Sequence, residues 1–169
     1  MMNNTRNTQL LPMKDQLVNF LHAIEYRFEL LEDTNERTVI RSGISLSFGA
    51  SDGFMVIHHN LKLVEFFAHS PVNIPENKRC EVAKFTAYVD SCTYIGNLQL
   101  NHQRGELRCK TYLRYSDEPV AQDIIRDNYF EGFNILERYM PGVMSIVYAG
   151  KNADAAIIEL LGTVDPSNN

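Results

Sequence analysis

The chain has 169 residues, 44% of them apolar and 22% charged, with a net charge of -5 at neutral pH. That length suits one domain able to bury its own core without disulfides or a structural metal. The composition excludes a disordered or membrane-embedded chain, since no apolar run approaches the roughly 20 residues of a spanning helix. The acidic balance disfavours nucleic acid as the main partner, because phosphate recognition wants a clustered basic surface.

In chain order, residues 1–11 are polar and aperiodic and read as a disordered tail, with Pro12 at the start of a helix. Leu17, Phe20, Leu21 and Ile24 recur at helical spacing, which predicts a short amphipathic helix over 13–24. Tyr26, Phe28 and Leu30 then alternate with Arg27, Glu29 and Leu31, so a strand competes with continued helix; the turn-forming run Asp33-Thr34-Asn35-Glu36 favours the strand. Residues 38–48 are β-branched and alternating, with a bulge or bend expected at Gly43 and a break at the Gly-Ala-Ser-Asp-Gly run that follows. Strands over 53–59 and 61–69, joined tightly near Asn60, complete an antiparallel meander.

The period then switches. Pro75 and Glu76 suit a first helical turn, and Val82, Phe85, Thr86 and Val89 form a helical stripe. Residues 94–115 return to period two, with Leu98 and Leu100 before a turn at 102–105 and Leu107, Cys109 and Leu113 after it, which predicts a strand pair. From Pro119 onward Ile125, Tyr129, Phe133, Leu136 and Met140 define a helix that Pro141 is expected to interrupt. Two short helices follow at 142–148 and 152–161, divided at Gly150. One domain over 12–162 and a second disordered tail at 163–169 complete the reading.

Residue types that carry chemistry are present without the spacing that chemistry needs. His58 and His59 are adjacent, and neighbours on a strand point to opposite faces; His22, His69 and His102 lie on other elements, so no metal site is expected. Cys80, Cys92 and Cys109 show no C-x-x-C spacing and read as reduced thiols in or near the core. Cys92 or Cys109 would serve as a nucleophile only beside a histidine in space. There is no G-x-S-x-G elbow and no phosphate loop. Asp33, Glu36, Asp117 and Glu118 sit at turns, where solvation explains them. Arg108, Lys110 and Arg114 share a strand face with Glu106 and Tyr112 and read as a solvated face. The amino terminus lacks the basic residue and apolar run of a secretory signal, which makes the cytoplasm the expected compartment.

Two features point outward. Residues 129–148 are rich in aromatics and methionines; most belong to a core against the sheet, but Tyr129, Phe133, Tyr139, Met140 and Met144 also make a candidate partner or dimer surface. The ends of an antiparallel sheet, in turn, offer edges to which a peptide strand can add.

The chain also resembles a known family. Ile95-Gly96-Asn97-Leu98-Gln99-Leu100, Gly105-Glu106-Leu107-Arg108 and Arg138-Tyr139-Met140-Pro141-Gly142-Val143, with the lead-in Pro71 to Glu76, resemble the YbjN-domain family of bacterial sensory transduction regulators in order and spacing. Leu98 stands where an aromatic is more usual, and Asn101-His102-Gln103-Arg104 replaces a more acidic turn. The resemblance implies a fold like that of type III secretion chaperones, α-β-β-β-α-β-β-α in outline, and a role in bacterial stress or signalling, with no catalytic residue.

The expectation is therefore an α+β domain whose antiparallel sheet is flanked by helices. It is expected to be non-enzymatic, cytoplasmic and homodimeric, to bind another polypeptide in a chaperone-like or regulatory way, and to need no cofactor, metal, nucleic acid or membrane. The alternative expectation is a small-molecule sensor or enzyme with a pocket between the C-terminal helices and the sheet.

Overall fold

The computed structural model describes residues 11–163, and these form an antiparallel α+β domain. In chain order the elements are α1 (Met13–Ala23), β1 (Glu29–Asp33), β2 (Arg37–Leu46), β3 (Gly49–His58), β4 (Leu63–His69), α2 (Arg79–Cys92), β5 (Asn97–Leu100), β6 (Leu107–Arg114), α3 (Gln122–Tyr148) and α4 (Ala153–Thr163). The outline implied by the family resemblance thus gains a fourth strand before α2 and a second helix at the end. Apart from Leu11 and Thr163, which ends α4, the two expected tails lie outside the described residues.

The strands form one sheet in the order β1-β2-β3-β4-β6-β5, with every pairing antiparallel. Because side chains alternate across a strand, that register divides the sheet into two faces. One face carries Thr38, Ile40, Ser42, Met55, Ile57, Val64, Phe66, Ala68, Leu107, Cys109 and Thr111, all buried. Onto it pack α1 through Leu17, Phe20 and Leu21, α2 through Val82, Phe85 and Val89, and α3 through Ile125, Phe133, Leu136 and Val143. The approach is close enough to require glycine: a Cβ on Gly53 would stand 2.7 Å from Phe133 Cζ, and one on Gly142 would stand 2.3 Å from Phe85 Cζ.

Four local expectations are corrected. The β2–β3 register runs unbroken from Arg37 opposite His58 to Leu46 opposite Gly49, so Gly43 makes no bulge and residues 49–53 do not end a strand. Gly43 permits close pairing instead, since its absent Cβ would stand 3.0 Å from the Ser51 carbonyl oxygen. The register shift lies in β1, between Leu30 and Glu32.

The strand expected from Tyr26 begins only at Glu29. Helix α1 closes in a turn where the Tyr26 N–H returns to the Leu21 carbonyl at 2.9 Å and Glu25 adopts a left-handed φ of 57°. Finally, Pro141 does not interrupt α3, which runs through it for 27 residues. Proline removes one amide, but Pro141 lies on the exposed side, where water can serve the freed carbonyl, while Met140, Gly142 and Val143 are locked in the core.

The sheet's two edges differ. At β5 the Leu98 N–H donates to Asp90 Oδ1 on α2 at 2.7 Å, so a side chain occupies that amide of the edge. Burial raises the Asp90 carboxyl above the usual range, and the Leu98 amide opposes this. At the other end β1 borders no further strand among the described residues. Helix α4 is started by Asn152, whose Oδ1 accepts the Ala155 N–H at 2.9 Å, and by Glu81 of α2, whose Oε2 accepts the Ala153 N–H at 2.8 Å.

Candidate binding face

The aromatic and methionine residues singled out from the sequence do not form one surface. Tyr129, Phe133 and Met140 are buried and belong to the core, a correction to their reading as partner surface; only Tyr139 and Met144 reach solvent in part. Tyr129 sits edge-on to Phe20, Phe130 and Phe133 at 5.7, 5.0 and 5.3 Å between ring centroids, and shares a 2.7 Å hydrogen bond with Ser42 Oγ. Burial pushes its phenol up to about 12, with the Ser42 bond pulling the other way. The helical period that marks this stripe is the same for a core face and a binding face, so spacing alone did not separate them.

The face of the sheet away from the helices is a second candidate surface. It carries Arg37, Val39 and Arg41 of β2, Phe54, Val56 and His58 of β3, Leu63, Glu65, Phe67 and His69 of β4, and Arg108, Lys110, Tyr112 and Arg114 of β6. The register places Val39 opposite Val56 and Phe54 opposite Phe67, which makes an apolar centre that no helix among the described residues covers. Each of these four is half-buried by its neighbours alone. Around them stand charges of both signs, with Glu32 opposite Val39 and Asp52 paired with Arg41 on one side and cations on the β6 side. The Arg108 guanidinium lies 4.3 Å over the Phe67 ring while its Nε donates to Gln99 Oε1 at 3.0 Å. Lys110 Nζ reaches Glu65 Oε1 at 3.2 Å, and His58 Nε2 meets Glu65 Oε2 at 2.9 Å. Desolvation would raise the Glu65 carboxyl, but the hydrogen bonds from His58 and Lys110 outweigh it and hold the group below the usual range. His69, edge-on to Phe54 at 5.1 Å, is held low by burial and by Arg108.

The sequence alone describes only the β6 part, Arg108, Lys110 and Arg114 with Glu106 and Tyr112, as a solvated face, and for β6 that reading is fair. What it missed is the set of cross-strand neighbours: Phe54 and Phe67 belong to two other strands, and only the pairing register brings them beside Arg108 and Lys110.

The chemistry-bearing residues remain apart. Cys80 and Cys92 are exposed rather than in the core, while Cys109 is fully buried. Cys92 closes α2 one turn beyond Val89, past the end of the buried stripe. Burial, aided by the Asp90 and Glu131 carboxylates, pushes the Cys109 thiol up to about 12, so it stays protonated and inert near neutrality. His58 and His59 go to separate partners, Glu65 and Thr38.

The contact of His59 with Thr38 has the elements of a nucleophilic site but the wrong proton order. Thr38 Oγ1 donates to Asp33 Oδ1 at 2.9 Å, and Asp33 is held low first by Lys14, at 2.7 Å, and then by Thr38 itself. With the hydroxyl proton given to an ionised carboxylate, the 2.9 Å contact between Thr38 Oγ1 and His59 Nε2 needs the imidazole to donate. A donating imidazole cannot take the threonine proton. No group of three or more His, Cys, Asp or Glu side chains is placed to hold a metal ion among the described residues.

A cavity of about 840 Å³ lies between the α2–β5 connection and α3, lined by Tyr94, Ile95, Glu131, Ile135, Glu137 and Tyr139 among others. Glu137 is already engaged, accepting the Ser47 N–H at 3.3 and 3.1 Å. Between α3 and the sheet the packing is tight, with a Cβ on Gly132 coming to 3.2 Å from Ala68 Cβ.

No family model matches the chain, and no curated protein matches it. Among solved structures, a chain of the HopA1–SchA chaperone–effector complex is similar at 13% identity, over 74% of this chain and 89% of that one, with a TM-score of 0.46. No helix among the described residues is long and apolar enough to cross a membrane.

Proposed function

We propose that this protein is a non-enzymatic, cytoplasmic binding protein that holds another polypeptide on the uncovered face of its sheet. In this reading it works as a homodimer in a chaperone-like or regulatory role of the YbjN kind. One observation carries the reading: among the described residues helices cover a single face, and the other keeps Val39, Phe54, Val56 and Phe67 together at its centre with Tyr112 62% exposed beside them. Apolar side chains gathered over three neighbouring strands and ringed by polar groups have the anatomy of an interface, an apolar middle and a polar rim.

The test is comparative capture. Wild-type protein and a Phe54→Ser/Phe67→Ser variant are immobilised and exposed to a bacterial lysate, and the retained proteins are identified by mass spectrometry. The reading expects partners that the wild type keeps and the variant loses, while circular dichroism of the two stays alike. Equal retention by a folded variant would remove this face from the function. Light scattering after size exclusion checks the dimer, for which the expected mass is that of two chains.

A further inference from the structure

Resting on the reading that this face binds protein, we propose that its occupant is an extended acidic segment of a partner chain, with apolar side chains between its carboxylates. The outer side of β6 is the part of the face that decides the sign. It presents Arg108, Lys110, Tyr112 and Arg114, three cations, while the carboxylate that shares their phase, Glu106 just before the strand, stands 3.8 Å from Arg104, on a chain whose net charge is -5. Lys110 is matched by Glu65 across the strand pair, but neither Arg108 nor Arg114 has a carboxylate within ion-pair distance among the described residues. Arg108 is held in place by neutral groups, Phe67 and Gln99, while Arg114 is exposed and only touches the Leu61 carbonyl at 3.5 Å. A partner carboxylate therefore meets two guanidinium groups without an ion-pair partner, that of Arg108 already oriented.

The spacing fixes the form of the ligand. Arg108 and Arg114 are six residues apart on one strand, about 20 Å at the rise of a β-strand. An extended segment that reaches both with its acidic residues passes over Tyr112 and beside Phe67, where its apolar side chains would lie. Two other occupants fit less well. Single-stranded nucleic acid stacks successive bases on free ring faces, and here Phe67 is covered by a guanidinium and Phe54 is flanked by His69, which leaves Tyr112 as a single open ring beside them. A second copy stacked face to face would bring two cationic rows into one dehydrated layer, which repels.

The probe is a fluorescein-labelled peptide of about twelve residues alternating Glu and Val, long enough to span the strand. Its partners in the experiment are the same peptide with Lys for Glu and an oligothymidylate, each titrated against the full chain by fluorescence anisotropy. The Glu peptide is expected to bind, to lose about tenfold in affinity on Arg108→Glu or Arg114→Glu, and to weaken steeply as salt rises. Arg114 is exposed, so that variant keeps the test valid if Arg108→Glu disturbs the packing on Phe67.

Equal binding of the Lys peptide, or no change in either variant, overturns the acidic preference. If the Phe67→Ser variant still weakens both peptides, the protein-binding face itself stands. Tighter binding of the oligothymidylate overturns the proposal in favour of nucleic acid. Failure of both peptides, together with unchanged lysate capture by the Phe54→Ser/Phe67→Ser variant, overturns the proposal and the reading beneath it.

Discussion

Phe66 and Phe67 are neighbours on β4, and they belong to different environments. Phe66 is 3% exposed, facing the helices, whereas Phe67 lies half-buried on the open face under Arg108. The same contrast runs along β2, where Ile40 is fully buried and Arg41 pairs with Asp52 in water. On the covered face each polar group has been settled inside the fold: Thr38 is bonded to Asp33 and His59, Ser42 to Tyr129, and Thr111 to the Asn128 carbonyl at 2.6 Å. On the open face apolar carbon remains beside partly satisfied charge. Burial of one face supplies the stability that allows the other to keep surface that would lower its free energy by meeting a partner.

Single substitutions can break this contrast, and the largest effect belongs to β4. Phe66→Ala should lower the unfolding free energy by about 3 to 5 kcal/mol, the cost of a large core deletion. Phe67→Ala should cost only about 1 kcal/mol, near the centre of ordinary substitutions. Urea denaturation of the two variants measures both, and equal losses would mean that the open face is covered after all.

Alkali is the next probe, because the two groups pushed highest lie on the covered side. The Tyr129 phenol ionises at about 12 in the fold against 10.0 in a free chain, and the Cys109 thiol at about 12 against 9.0. Folded values above unfolded ones give stability that is whole below the unfolded pKa and is lost as pH climbs toward the folded one. The melting temperature should therefore fall between pH 9 and 12, and a Cys109→Ala/Tyr129→Phe variant should flatten that slope.

A smaller loss, about 1 to 2 kcal/mol, is expected for Thr38→Val, which leaves Asp33 and His59 without their shared hydroxyl. Smallest is Glu65→Gln on the open face, at about 0.5 kcal/mol for a partly exposed pair. Because the Glu65 carboxyl is held below its usual 4.5, its contribution is present above that value and disappears as pH falls. Acid titration of wild type and variant should converge at low pH.

Much of this architecture was legible residue by residue. Alternation at Leu107, Cys109 and Leu113 marked the buried phase of β6, and Val82, Phe85, Thr86 and Val89 marked the buried stripe of α2, because local periodicity and burial share a cause. What failed depended on residues far apart in sequence. Pro141 is a helix breaker by itself, and only the packing of Met140 and Val143 carries α3 through it. Gly43 looked like a bulge because a glycine in a strand permits either a bulge or a close approach, and the partner at Ser51 decides which. The candidate face was the least legible of all: its centre is drawn from β2, β3 and β4 and its cations largely from β6, which meets β4 only after the chain has passed through α2 and β5.

The hydrogen bond from Leu98 to Asp90 also sets a limit on assembly. A sheet with two open edges can add copies without end, which is the geometry of a fibre. Here the Asp90 carboxylate occupies the Leu98 amide on the β5 edge and hinders strand addition there, while β1 borders no further strand among the described residues. Two chains meeting at β1 about a two-fold axis would present the hindered edge at either end, which disfavours further growth.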